Sequence, residues 1–214
     1  MHAYDAAVWR AVLFDFGGVI TSSPFDAFAS YEARVGLPDG FIRALNARDV
    51  HDNAWARLER NDVGVDEFIA LFEAEARAAG GELDGAEVLA CLRGELRPRV
   101  VSAVQTCAAR FTTAILTNNF LTGSDEWSAT GTFAAVAEAV DVVVESSRVG
   151  CRKPEPRFYE LALAEIGVAA DEAVFLDDLG VNLRPARALG MATIKVVDPD
   201  AAMDELGALL GIDL

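Results

Sequence analysis

Lysine is nearly missing from this chain: among 214 residues and 18 basic side chains, only Lys153 and Lys195 are lysines, the rest being arginines. Basic character as a whole is scarce. Thirty-four acidic residues leave a net charge of −16, and no basic stripe exists for a nucleic acid or an anionic membrane surface to bind, so neither is expected as a partner. Cysteine is sparse as well. Cys91, Cys107 and Cys151 are odd in number, widely spaced and without any Cys-x-x-Cys, which excludes a disulfide framework and a zinc site and leaves buried thiols of a reducing compartment. Long apolar runs are absent too. Asp5, Arg10 and Asp15 interrupt the first ones, so neither a signal peptide nor a membrane span is expected, and a cytoplasmic protein follows.

What is present has the size for a full hydrophobic core, as one large domain or one domain carrying a smaller insertion. The stretch from Val12 to Ile20 reads as a buried strand that runs out into Asp15, followed by the turn residues Gly17 and Gly18. From Ser22 to Leu96 the apolar residues instead recur at helical spacing between helix punctuation marks. One helix opens at Pro24 and stops at Gly36; a second runs from Asp39 to about Asp49, and a third carries Ala54, Trp55 and Leu58. A fourth has Asp66 as its expected N-cap and closes at Gly80-Gly81, and a fifth runs from Asp84 through Leu96 to Pro98. Beyond residue 98 helices alternate with short, continuously apolar runs that end in polar residues, Ala114–Leu116, Val142–Val144 and Val174–Leu176, and a last strand is expected over Thr193 to Val197. That alternation predicts an α/β fold, a doubly wound, Rossmann-like parallel sheet. Residues 1–20 and 97–214 form the expected core, with 21–96 inserted as a helical domain.

In such sheets ligands bind outside the carboxyl ends of the strands, where this chain presents Asp15, Thr117, Asn118, Asp177 and Asp178. Carboxylates converging on one edge repel one another unless a cation lies among them, and oxygen ligands of this kind suit a small hard ion such as magnesium. A hydroxyl and a backbone amide at Thr117 and Asn118, together with a lysine, are suited to an anionic group opposite that metal. An aspartate nucleophile, magnesium and phosphate-holding donors together describe phosphoryl transfer through an aspartyl-phosphate. The competing view is that strand-end acids merely cap helices or meet solvent, and it weakens as such acids accumulate on one edge.

Four segments in order, Asp15-Phe16-Gly17-Gly18-Val19, Leu116-Thr117-Asn118-Asn119, Gly150-Cys151-Arg152-Lys153-Pro154-Glu155-Pro156 and Phe175-Leu176-Asp177-Asp178, resemble the motifs of the haloacid dehalogenase-like hydrolases. The stretch from Thr117 to Val197 is most similar to the amino-terminal phosphatase domain of soluble epoxide hydrolases and related bacterial proteins. The resemblance implies a small phosphorylated substrate and a Mg2+ cofactor, with residues 21–96 forming a mobile cap. It also implies Asp15 as nucleophile, Thr117, Asn118 and Lys153 on the substrate phosphate, and Asp15, the Gly17 carbonyl and Asp178 on the metal. Asp177 assists there, directly or through water.

One position departs from the pattern. Phosphatases of this family carry a second acid where this chain has Gly17, and that acid protonates the leaving oxygen and later activates water. Its loss leaves three readings open: a phosphatase or phosphotransferase of restricted scope, a phosphate-binding or regulatory protein with little chemistry, and a haloacid dehalogenase. The Asp177-Asp178 pair, the metal-binding form of the fourth motif, weighs against the last. Other residues have plainer roles. His51 reads as a solvated or packed imidazole, and Trp55 with Phe25, Phe28 and Phe41 as core of the insert. Ser22 and Ser23 suit a helix N-cap before Pro24. Asn182 suits either support of the metal site or a helix cap. Trp127, in the loop Gly123 to Gly131, has no assignment.

Overall fold

A computed structural model describes residues 9–120 and 132–214; the segment holding Trp127 lies outside them. Five parallel strands form one sheet: β1 (Ala11–Phe14), β2 (Thr112–Thr117), β3 (Val142–Glu145), β4 (Ala173–Asp177) and β5 (Ala192–Lys195). Their order is β3-β2-β1-β4-β5, so β1 lies at the centre and the chain winds first to one side and then to the other. The register sets Phe14 of β1 between Ile115 and Leu176. Asp15, the next residue, therefore emerges between the ends of β2 and β4.

Both faces of the sheet are covered, as continuous apolar strands require. Alternate residues serve alternate faces: Val12, Phe14, Ile115 and Leu176 pack against α6 (Pro98–Ala108) and the final helix α11 (Pro199–Leu210). Leu13, Ala114, Leu116 and Phe175 pack on the other side against α9 (Pro156–Ile166) and α10 (Gly180–Leu189). Short helices α7 (Thr132–Ala137) and α8 (Ser146–Val149) flank β3. The doubly wound α/β architecture is the expected one. All three cysteines are free, and burial pushes the Cys107 thiol up to about 12. Among the described residues no helix is long and apolar enough to cross a membrane.

Between β1 and α6 lie five helices: α1 (Pro24–Val35), α2 (Phe41–Asn46), α3 (Ala54–Glu59), α4 (Val65–Ala78) and α5 (Gly85–Ala90). They share a hydrophobic cluster of their own, centred on Phe28, Trp55, Phe68 and Phe72. The Trp55 ring meets Phe68 edge-on at 4.9 Å, and Phe68 stacks on Phe72 at 5.3 Å. Trp55 and Phe28 are thus core, while Phe25 and Phe41 pack half-buried against it. His51 is exposed. Ser23 caps α1, and Ser22 accepts from the Glu95 N–H at 3.0 Å.

Three helix boundaries differ from expectation. Gly64, not Asp66, caps α4, and Asp66 sits in its first turn, where its charge complements the helix dipole. The second helix covers only Phe41–Asn46, because Asn53 ties off the following turn by donating to the carbonyls of Asn46 and Arg48. Asp84 does cap α5, but the helix stops at Ala90 rather than reaching Pro98. The residues after it pair with the chain leaving the opening turn: Thr21 bridges Leu96, Ser22 N–H donates to Glu95 O at 2.8 Å, and Arg97 N–H to Ile20 O at 2.9 Å. That two-stranded join carries the chain into and out of the helical segment.

Phe68 is fully buried between Trp55 and Phe72. Phe68→Ala is expected to lower the unfolding free energy by about 3–5 kcal/mol, measured by urea denaturation followed by near-ultraviolet circular dichroism.

Candidate active site

Asp15 follows the buried run Ala11–Phe14 and is itself only 7% exposed. Its Oδ1 accepts the Phe16 N–H at 2.7 Å, which fixes the carboxylate at the start of the Gly17-Gly18 turn. Gly18 adopts φ +86°, and a Cβ there would lie 2.4 Å from Asp178 Oδ2. Only glycine lets that backbone pass so close to the carboxylate. Gly17 differs: its φ of −73° and ψ of 121° are open to any residue, and a Cβ would meet nothing within 4 Å.

Lys153 joins the strand ends. Its side chain is almost wholly buried, and the ammonium lies 2.7 Å from Asp15 Oδ1 and 2.9 Å from Asp177 Oδ2. Asp177 is itself held on both oxygens: Oδ1 accepts the Leu179 N–H at 2.8 Å, and Asn182 Nδ2 donates to Oδ1 at 3.1 Å and Oδ2 at 3.0 Å. This decides between the two roles considered for Asn182. Its side chain grips Asp177, while α10 begins after Leu179 with no side-chain cap. Tyr159 supports the arrangement from α9 by donating to the Asn182 carbonyl at 2.7 Å.

Oxygens of Asp15, Asp177 and Asp178 lie within 4.8 Å of one another. Asp178, the residue after β4, is half-buried and more open than Asp177. Three carboxylates against one ammonium make a pocket short of positive charge, and an all-oxygen donor set of this size fits a hard divalent cation. Thr117 ends β2, buried, and Asn118 follows it, half-buried. The Asn118 side chain is committed to the backbone of Lys153: Oδ1 accepts its N–H and Nδ2 donates to its carbonyl, both at 2.9 Å.

Two further contacts had no signal in the sequence. Arg97 donates to the Gly18 carbonyl at 2.9 Å, bracing the opening turn from the join with the helical segment. Glu59, on α3, accepts from Asn118 Nδ2 at 3.0 Å and pairs with Arg152. Nothing in the spacing of either residue separates it from a solvated charge.

The charges show the same shortage. Burial, reinforced by Asp177 and Asp178 and opposed by Lys153, pushes Asp15 up to about 8. Burial and Asp177 push Asp178 up to about 6, with Lys153 and Arg97 opposing. Burial alone would lower Lys153, but Asp15 and Asp177 outweigh it and hold its proton firmly. A cation among the carboxylates relieves the first two shifts.

These features define a class: an α/β protein whose central strand ends in a buried carboxylate bridged by lysine to the acid ending its neighbour. A model of the haloacid dehalogenase-like hydrolases matches residues 9–190, and the chain belongs to that family. It is 35% identical over 213 residues to acyl-CoA dehydrogenase family member 10 of Mus musculus, covering 96% of this chain and 20% of that protein. It is 31% identical over 218 residues to bifunctional epoxide hydrolase 2 of Sus scrofa, covering 96% and 39%. The chain therefore spans well under half of either relative. Sesquiterpene phosphatase astK of Aspergillus oryzae is 25% identical over 207 residues, covering 95% of this chain and 97% of that one. Among solved structures, the fold matches enzyme bt-2542 of Bacteroides thetaiotaomicron in complex with magnesium and inorganic phosphate. That match has TM-score 0.59 at 15% identity and covers 87% of this chain and 93% of that one. It also matches L-2-haloacid dehalogenase of Xanthobacter autotrophicus, with TM-score 0.62 at 18% identity, covering 96% and 85%.

The raised Asp15 has a consequence for stability. Between its ordinary value of 3.8 and about 8, the folded chain keeps a proton that the unfolded chain releases, so this group's contribution falls as pH rises through that window. Asp178 acts in the same direction over its lower range. In chelator, the melting temperature of the parent relative to Asp15→Asn is expected to fall from pH 5 to pH 8, and added magnesium to raise the parent more at pH 8 than at pH 5. Differential scanning fluorimetry of both proteins at each pH checks this.

Proposed function

We propose that this chain is a magnesium-dependent phosphatase or phosphotransferase for a small phosphorylated molecule, working through an aspartyl-phosphate on Asp15. The observation that carries the reading is the buried Lys153 ammonium bonded at once to Asp15 and Asp177, beside Asp178. A fixed cation against a strand-end carboxylate offsets the repulsion between that nucleophile and a phosphate dianion. A phosphatase among the relatives and a fold neighbour holding magnesium and phosphate support the same chemistry.

In the first half-reaction an Asp15 oxygen attacks phosphorus, the bond from phosphorus to the leaving oxygen breaks, and the leaving group takes the electron pair. In the second, water attacks the same phosphorus, the bond to Asp15 breaks, and phosphate and the free carboxylate result, the proton of water passing to solvent. Lys153, the Thr117 hydroxyl and the Asn118 N–H hold the phosphoryl oxygens. Asp15, Asp178 and the Gly17 carbonyl would hold magnesium, with Asp177 assisting directly or through water. When bound, the ion supplies positive charge that keeps Asp15 ionised and offsets charge on the phosphoryl group. We assign residues 21–96 the role of a cap above this site and 1–20 with 97–214 that of the catalytic core.

Gly17 sets the scope. Without a carboxyl there, position 17 supplies neither the proton for the leaving oxygen nor the base for water, assistance worth about 10²–10⁴ in rate. Acyl and aryl phosphates, whose leaving groups need little protonation, are the matching substrates; sugar phosphates are poor ones. A slow second half-reaction leaves the aspartyl-phosphate long-lived. The same glycine favours a second reading, a phosphate-binding or regulatory protein that keeps the site with little turnover. The Asp177-Asp178 pair argues against a metal-free dehalogenase.

Hydrolysis of p-nitrophenyl phosphate with and without magnesium separates these readings. The parent is expected to turn over only with the ion, and Asp15→Asn to abolish turnover. No turnover in the parent, or equal turnover in Asp15→Asn, contradicts the proposal. Because the space beside Gly17 is open, Gly17→Asp is expected to raise alkyl-phosphate hydrolysis by up to about 10²–10⁴, seen in released phosphate; no rise counts against this account of the missing acid.

A further inference from the structure

We infer that Glu59, on helix α3 of the inserted segment, is a positioning residue for Lys153, acting through Asn118 and Arg152. The inference rests on the reading of Lys153 as part of a phosphoryl-transfer site. Asn118 holds the Lys153 backbone at two points, its Oδ1 accepting the N–H and its Nδ2 donating to the carbonyl, both at 2.9 Å. The second Nδ2 hydrogen goes to Glu59 Oε2 at 3.0 Å. An amide has nearly the same shape when its oxygen and nitrogen are exchanged. A carboxylate only accepts, so with Glu59 in place the exchanged orientation would set oxygen against oxygen at both Glu59 and the Lys153 carbonyl. Glu59 thereby adds a second penalty to the one the Lys153 backbone already sets against turning the clamp over.

The same carboxylate oxygen accepts from Arg152 Nε, and Arg152 Nη1 donates to the Val50 carbonyl at 3.0 Å. Arg152 is therefore gripped from the inserted segment at two places, Glu59 and Val50, and Lys153 beside it by way of Asn118. The Glu59 and Arg152 side chains are only 15% and 17% exposed, so their attraction is screened less than that of a surface pair. Removing Glu59 leaves a donor of Asn118 and the guanidinium of Arg152 short of partners in a half-dry setting. The Lys153 backbone is then less constrained, and its ammonium reaches Asp15 over a long unbranched side chain. Seating of the inserted segment and placement of the lysine are linked by this one carboxylate. Arg60, the next residue, provides a contrast: it bridges Asp62 at 2.9 Å and Glu155 at 3.8 Å and donates to the His51 carbonyl at 2.9 Å.

The scarcity of lysine makes the test direct. With lysine labelled at Cε, the full chain gives two side-chain NMR signals, Lys153 and the exposed Lys195. In Glu59→Ala the Lys153 signal is expected to move while that of Lys195 stays, and kcat for p-nitrophenyl phosphate with magnesium to fall about tenfold or more, KM changing less. Glu59→Gln, whose amide oxygen still accepts from Asn118, is expected to keep the Lys153 signal near its parent position and to recover most of kcat. Arg60→Ala is expected to leave both unchanged. If Glu59→Ala does not fold, as judged by the Lys195 signal, Glu59→Asp serves in its place. An unmoved Lys153 signal in the Glu59 variant overturns the inference, as does an equal effect from Glu59→Gln or Arg60→Ala. A parent that hydrolyses no phosphate ester overturns the proposed function instead, and the lysine signal still decides the role of Glu59.

Discussion

The ammonium of Lys153 is the interaction on which the site depends. Among the described residues it is the one positive charge bonded to both Asp15 and Asp177, in a pocket that also holds Asp178, and burial makes an unpaired carboxylate there costly. Each of its neighbours is fixed from a different element: Asp15 by the turn after β1, Asp177 by Asn182 on α10, and Lys153 itself by Asn118 after β2. The parallel sheet makes this convergence possible, because every strand delivers its carboxyl end to the same edge. Without the lysine, three acids would face one another across less than 5 Å.

The two glycines after Asp15 show how geometry and chemistry divide. Gly18 is required by the backbone, since its positive φ and the approach of Asp178 leave no room for a side chain. Gly17 is under no such constraint. The missing acid is therefore a matter of chemistry rather than of fit. The proposed phosphoryl transfer consequently has its nucleophile, lysine and metal-binding acids in one place, while the proton transfers to the leaving oxygen and from water rely on solvent.

The strand ends are readable in the sequence because the apolar runs before Asp15, Thr117 and Asp177 each stop at a polar residue, and ligands in such sheets bind at those ends. Asp15, Thr117, Asp177 and Lys153 are legible as candidates by that logic or by the motifs they belong to. Helix limits in the insert were less readable. The stretch after Ala90 keeps helical spacing through Leu92 and Leu96, yet its backbone pairs with residues 20–22 instead, a tertiary choice that local pattern does not encode. Asn182 had two roles open to it, and only its distance to Asp177 separates them. Glu59 was invisible for a related reason: it lies 59 residues from Asn118 and 93 from Arg152, and on a six-residue helix one acid looks like any solvated charge.

A covalent phosphate on Asp15 is the central claim, and trapping it is the most direct test. The protein is incubated with acetyl phosphate and magnesium, quenched in acid, and reduced with borohydride, which converts an aspartyl-phosphate to homoserine; peptide mass spectrometry then locates the change. The account predicts homoserine at position 15 in the parent and none in Asp15→Asn. A parent that turns over substrate with Asp15 unmodified at every quench time, or with the label on another residue, would contradict it.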